Sequence, residues 1–130
     1  MTRTPLLILP LLAGCATLPP PGAPITGAWG GTHVGLTLDV AGGRLEYDCA
    51  AGTIGPVVAG DGGRFVAEGT HTPGTGGPEI VGQVQPSYRT RYSGTVRGER
   101  MTLQGRVENG VLLGPFELRR GAEPVIFRCL

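Results

Sequence analysis

The sequence contains no lysine, and its eleven basic residues, all arginine, stand against ten acidic ones. A balance so close offers no basic field for nucleic acid or an anionic lipid surface, and argues against a nucleic-acid role. Histidine is equally sparse: His33 and His71 are the only two, with no His-x-His or His-x3-His spacing, whereas catalytic zinc takes three protein ligands and a water. Serine occurs only as Ser87 and Ser93, and neither lies in a G-x-S-x-G elbow. No apolar run approaches the roughly 20 residues that cross a bilayer as a helix. An amphipathic helical stripe is missing too. Aromatic residues are few, while glycine reaches 24 and proline 12, a composition that on its own suggests disorder.

What is present begins with MTRTPLLILPLLAGCA: a short region carrying Arg3, an apolar stretch from Leu6 to Leu12, then small residues up to Cys15. This is the layout of an export signal. The tetrad Leu12-Ala13-Gly14-Cys15 resembles the lipobox of bacterial lipoproteins. The resemblance implies cleavage after residue 14 and a diacylglycerol on the Cys15 thiol, so that the protein lives lipid-anchored in the cell envelope. Ala16 follows where an aspartate would favour inner-membrane retention, which points to the outer membrane, facing the periplasm, if the organism has two. Residues 16–27 hold four prolines and no charge, and read as a semi-rigid polyproline spacer. The expected organisation is therefore 1–14 signal, 15–27 lipidated cysteine and tether, and 28–130 folded body.

With Cys15 carrying lipid, Cys49 and Cys129 remain. An even remainder in an exported chain reads as a disulfide, here one that pins the last strand to an early one. Two free buried thiols are the alternative.

Periodicity answers the suggestion of disorder. Val34, Leu36, Leu38 and Val40 alternate with small or polar residues, and Leu45, Tyr47 and Cys49 share one face of RLEYDC opposite Arg44, Glu46 and Asp48. TIGPVVA, RFVAEGTHT, YRTRYSGTVRG, MTLQGRV, VLLGPFELRR and VIFRCL continue the pattern, with Met101, Leu103 and Val107 on one side. Turn signals at 41–43, 60–63 and 108–110 separate them, the last an Asn-Gly pair. The count, about eight short strands, predicts an all-β antiparallel meander closed into a small barrel, with a β-sandwich as the alternative. Glycines within strands, Gly35, Gly69, Gly94 and Gly105, mark places where a small barrel bends. The stretch from Pro73 to Ser87 has no clear strand pattern and reads as a long loop.

Candidate contacts are few. Trp29, in AWGGTH, reads first as a plug in the barrel core and second as a stacking platform at its mouth. In SYRTRY, alternation places Tyr88 and Tyr92 on one face and Arg89 and Arg91 on the other, and tyrosine with arginine is the composition of interface hot spots. Tyr88, Arg91, Tyr92, His33 and His71 complete the candidate ligand or partner contacts. A metal site needs both histidines beside Asp48 or Glu68. Glu46 and Asp48, two apart, read as a solvated face paired with Arg128 rather than as a glycosidase pair. No catalytic set, metal or cofactor is expected.

The combination WGGTHVGL, LEYDCAAGTI, RYSGTV and FRCL resembles small exported bacterial lipoproteins of unknown function. A more distant resemblance, through the lipobox, the barrel and Tyr47-Asp48-Cys49, is to the barrel lipoproteins that inhibit lysozyme. Together these imply a non-catalytic binding or structural module of the envelope, whose partner is an envelope protein or a small apolar ligand. An inhibitor of an exported hydrolase is the alternative, and a small hydrolase or metal-binding protein ranks lower.

Overall fold

The computed structural model describes Arg3, Pro5 and residues 17–74, 81–82 and 84–129. Apart from Arg3 and Pro5, the signal lies outside the described residues, as do Cys15 and residues 75–80 and 83 of the long loop. Eight strands follow in chain order: β1 (Gly27–Gly31), β2 (Val34–Asp39), β3 (Gly42–Tyr47), β4 (Ala50–Ile54), β5 (Arg64–Pro73), β6 (Tyr88–Arg97), β7 (Arg100–Val107) and β8 (Leu112–Arg120). Each pairs antiparallel with the next, and β8 returns to β1 through Trp29 opposite Arg120 and Gly30 opposite Arg119. The sheet is a closed barrel in which every described strand has a neighbouring strand on both sides.

The period of two is what builds it. Val34, Leu36 and Leu38 of β2, Leu45 and Tyr47 of β3, and Met101, Leu103 and Val107 of β7 all point inward and are buried. Trp29, Tyr92 and Leu118 join them, each no more than 1 % exposed, so the interior is filled with side chains.

The strand count matches expectation, but two strands are exchanged. GAWGG forms a strand of its own, β1, and VIFRCL forms none. β3 stops at Tyr47, so Asp48 and Cys49 make the turn and β4 begins at Ala50 rather than within TIGPVVA. Val40 turns out to solvent in the β2–β3 hairpin. The new strand β1 and the early start of β4 share a cause: two-residue turns without glycine, at 32–33 and 48–49, join strands where the sequence carries no usual turn signal.

Backbone pairing of β1 with β8, rather than the disulfide, closes the barrel. After β8 the chain turns at Gly121 and residues 122–129 run back parallel to β1 across the outer face of β1 and β2 as a strap. A parallel bridge joins Val125 to Thr32, with the Val125 amide donating to Gly31 O at 3.0 Å and the His33 amide to Val125 O at 2.7 Å. The strap lies flat because Gly30 and Gly35 lack side chains there. A Cβ on Gly30 would stand 2.2 Å from the Ala122 carbonyl oxygen, and one on Gly35 would press Pro124 at 3.0 Å.

The expected spacer is also part of the body. Pro24 bridges Val58, the Ile25 amide donates to Val57 O at 2.9 Å, and the Ala59 amide to Ala23 O at 2.9 Å. Ile25, Val57 and Ala59 are all buried and plug the end where β1 begins. Thr17 is held too, its carbonyl accepting from the Gly98 amide at 2.7 Å. A proline-rich segment without charge thus finds its partners in the β4–β5 connection, whose own apolar residues need covering. We call this end the base, and the end with the 32–33, 48–49 and 108–111 turns the mouth.

Candidate functional site

The mouth gathers the polar and aromatic chemistry. Val34 of β2 opposes Tyr47 of β3, so the turn Thr32–His33 sits beside the turn Asp48–Cys49. Both second residues take left-handed backbone, His33 at φ 72° and Cys49 at φ 58°. For residues other than glycine this conformation is uncommon and is held here by what surrounds it. His33 Nδ1 and Asp48 Oδ2 share a hydrogen bond. The other carboxylate oxygen, Asp48 Oδ1, accepts from the Phe127 amide at 2.7 Å. The Phe127 ring lies against His33 at 5.3 Å between centroids. Two residues on, Cys129 is disulfide-bonded to Cys49 with Cα atoms 5.2 Å apart. The strap therefore ends in a latch of three parts: carboxylate, ring contact and staple.

Beneath this latch, inside the barrel, Tyr47 meets His71 edge to face at 5.5 Å and Phe116 at 5.7 Å. Among the described residues, the buried Tyr47 hydroxyl and His71 Nδ1 have no hydrogen-bond partner. Tyr92, alongside, donates its hydroxyl to Thr70 O at 2.8 Å. Burial, with Tyr92 close by, pushes the Tyr47 hydroxyl far above the ordinary tyrosine range. Burial also raises Tyr92 and lowers His71 below its usual value. At neutral pH all three are uncharged, and an unpaired buried donor or acceptor costs on the order of 1 to 3 kcal/mol until something bonds it.

The candidate contacts fall in different places. His33 is exposed at the mouth and His71 is buried below it, each with its own neighbours. Trp29 is in the core: its Nε1 donates to Thr26 O at 3.2 Å and the Arg120 guanidinium lies 4.3 Å over its ring, so no face is left for stacking. Tyr92 is fully buried, whereas Tyr88 is half-buried on the same inward face. Arg91 points outward, 3.7 Å from Glu68. Asp48 turns to His33 and Phe127 rather than to Arg128. The serines bond elsewhere, Ser87 with Thr72 at 3.0 Å and Ser93 with Gln104 at 3.4 Å. Among the described residues no three His, Cys, Asp or Glu side chains gather as a metal site.

Phe127 and Val125 escaped sequence reasoning, which took VIFRCL for a strand. Both are exposed, at 59 % and 52 %, on a segment bonded at both ends. Grooves open on the outer wall: one of about 750 Å³ runs between the strap at Ala122 and Pro124 and the outward threonines Thr37, Thr53, Thr70 and Thr72. The chain matches no family model, and neither a curated relative nor a solved structure is significantly similar to it.

Proposed function

We propose that this chain is a lipid-anchored, non-catalytic binding module of the cell envelope that recognises an envelope protein through its stapled strap. Export through residues 1–14 and acylation at Cys15 carry it to a membrane surface, the outer membrane where two exist. A disulfide between Cys49 and Cys129 accords with an oxidising compartment. The observation that carries the reading is Phe127: an aromatic ring more than half exposed, yet immobilised by Asp48, His33 and the neighbouring staple. A side chain ordered in advance loses little entropy on docking, and a rigid exposed aromatic is the usual anchor of an interface.

Affinity capture from envelope extract, with wild type beside Phe127→Ala, tests this. One stoichiometric protein retained by wild type and lost from the variant, at equal melting temperature, supports the reading; an exported hydrolase in that place would make the module an inhibitor. Equal capture by both would remove the strap as the recognition element. A second reading is favoured by the unpartnered Tyr47 hydroxyl and His71 Nδ1, which suit a small polar ligand entering at the mouth. Native mass spectrometry showing a copurifying small molecule, absent from Tyr47→Phe, would favour it. The anchor is checked by fractionation: Cys15→Ala is expected to leave the membrane fraction.

A further inference from the structure

A near-zero net charge hides a row of like charge at the base of the barrel. At the base, Arg97 opposes Arg100 across the β6–β7 hairpin, and Arg100 opposes Arg119 on β8. Directly opposed residues share a face, and all three are exposed, so they form one outward row. Like charges directly opposite one another destabilise a sheet. None of the three makes an ion pair among the described residues. Glu99, the acid of the same turn, is taken by Arg120 at 3.4 Å. Glu117 and Glu123 share a groove of about 530 Å³ with Arg100 and Arg119, but the row itself holds no acid.

The row sits where the N-terminal segment leaves the body. The Gly98 amide, between Arg97 and Arg100, donates to the Thr17 carbonyl at 2.7 Å. Cys15 is two residues before Thr17, and two residues of chain span no more than about 7 Å. With no free spacer in between, an acyl group on Cys15 holds this turn at the bilayer surface rather than away from it.

We propose that the base of the barrel is a membrane-facing surface, on which Arg97, Arg100 and Arg119 contact the phosphates of anionic phospholipid headgroups. The proposal rests on the anchor reading for its orientation and on the arginine row for its chemistry. Guanidinium groups bind phosphate through paired N–H donors, and a nearby anionic surface supplies the counter-charge that the barrel withholds. The attraction acts within a Debye length, which the short link to Cys15 satisfies.

The test uses the chain from Ala16 to Leu130, which keeps every described strand and the base plug but carries no lipid. Binding is measured by co-sedimentation with vesicles of phosphatidylcholine alone or mixed with phosphatidylglycerol. Preference for the anionic vesicles is expected, lost at high salt. Replacing the three arginines by glutamine is expected to weaken partitioning about fivefold for each one removed, roughly a hundredfold for all three. Replacing them by lysine keeps most of the binding, which separates charge from misfolding, and melting temperatures check the fold of each variant. Arg89, Arg91 and Arg106, higher on the same wall, are the control triple. Equal binding to both vesicle types, an unchanged glutamine triple, or an equal loss from the control triple would overturn the proposal. Failure of the anchor is read separately, as unchanged fractionation of full-length Cys15→Ala, and leaves the vesicle result standing.

Discussion

The two ends of this barrel are closed by different chemistry. At the base, the chain seals itself with apolar side chains: Ile25 from the segment before β1, and Val57 and Ala59 from the β4–β5 connection. Such a seal is non-directional, improves with every buried methylene, and needs no charge. The mouth is sealed by a disulfide, a carboxylate with two partners and an exposed aromatic ring, over buried polar atoms that lack partners among the described residues. The hydrogen bonds of this latch are directional, are individually worth less than the staple beside them, and hold exposed groups in fixed positions. On the reading proposed above, the contrast separates tasks: the base is an attachment face, and the stapled mouth offers a rigid surface for recognition.

Removing the staple strikes the mouth hardest. Cys129→Ser opens a loop of 80 residues in the unfolded chain, which by chain entropy costs about 4 to 5 kcal/mol. A fall in melting temperature on the order of 15 °C or more is expected under non-reducing conditions. Because β1 and β8 still pair, the barrel should keep its circular dichroism below the transition. Loss of strand signal in the folded variant would show that the strap, and not backbone pairing, holds the barrel shut.

At the base the corresponding change is Ile25→Ala, expected to cost about 2 to 4 kcal/mol as a buried side-chain truncation. Denaturant titration measures it. A cost near zero would mean that the segment before β1 is a loose tether, and would free the base from the membrane geometry argued above.

The strands were largely legible in the sequence, because inward alternation at Val34, Leu36, Leu38, Leu45, Met101 and Leu103 needs only a period of two. The ends were not. Ile25 was hidden in a run of prolines whose local preference is extended spacer, and its burial depends on Val57 and Ala59, more than 30 residues away. VIFRCL has the composition of a strand, yet β8 already pairs with β1 at Trp29 and Gly30, so the segment meets the chain through a single bridge at Thr32 and otherwise lies over the sheet. His33 and Asp48 meet only if the turns are placed at 32–33 and 48–49. In both, a residue other than glycine takes the left-handed position, so the turn chemistry gives no notice. The arginine row escaped a net-charge argument because Arg97, Arg100 and Arg119 align only through strand register.

A subtler break at the mouth is Asp48→Ala, which removes the acceptor of the Phe127 amide and the partner of His33. The carboxylate is partly exposed, and a loss of about 1 kcal/mol is expected. The sharper readout is local: the Phe127 amide should exchange with solvent faster while amides of β6 and β7 keep their protection. Uniform loss of protection would mean that the latch supports the whole barrel.

The smallest effect expected concerns protons beneath the latch. Burial lowers the pKa of His71 in the folded protein, so the unfolded chain binds a proton first as pH falls. Stability from this group is complete above the unfolded value near 6.5 and declines as pH drops through it toward the lower folded value. The melting temperature should therefore fall between roughly pH 7.5 and 5.5, and His71→Asn should flatten that slope. Equal slopes in wild type and His71→Asn would show that water or a ligand reaches the imidazole, and the interior of the mouth would then resemble its rim rather than the sealed base.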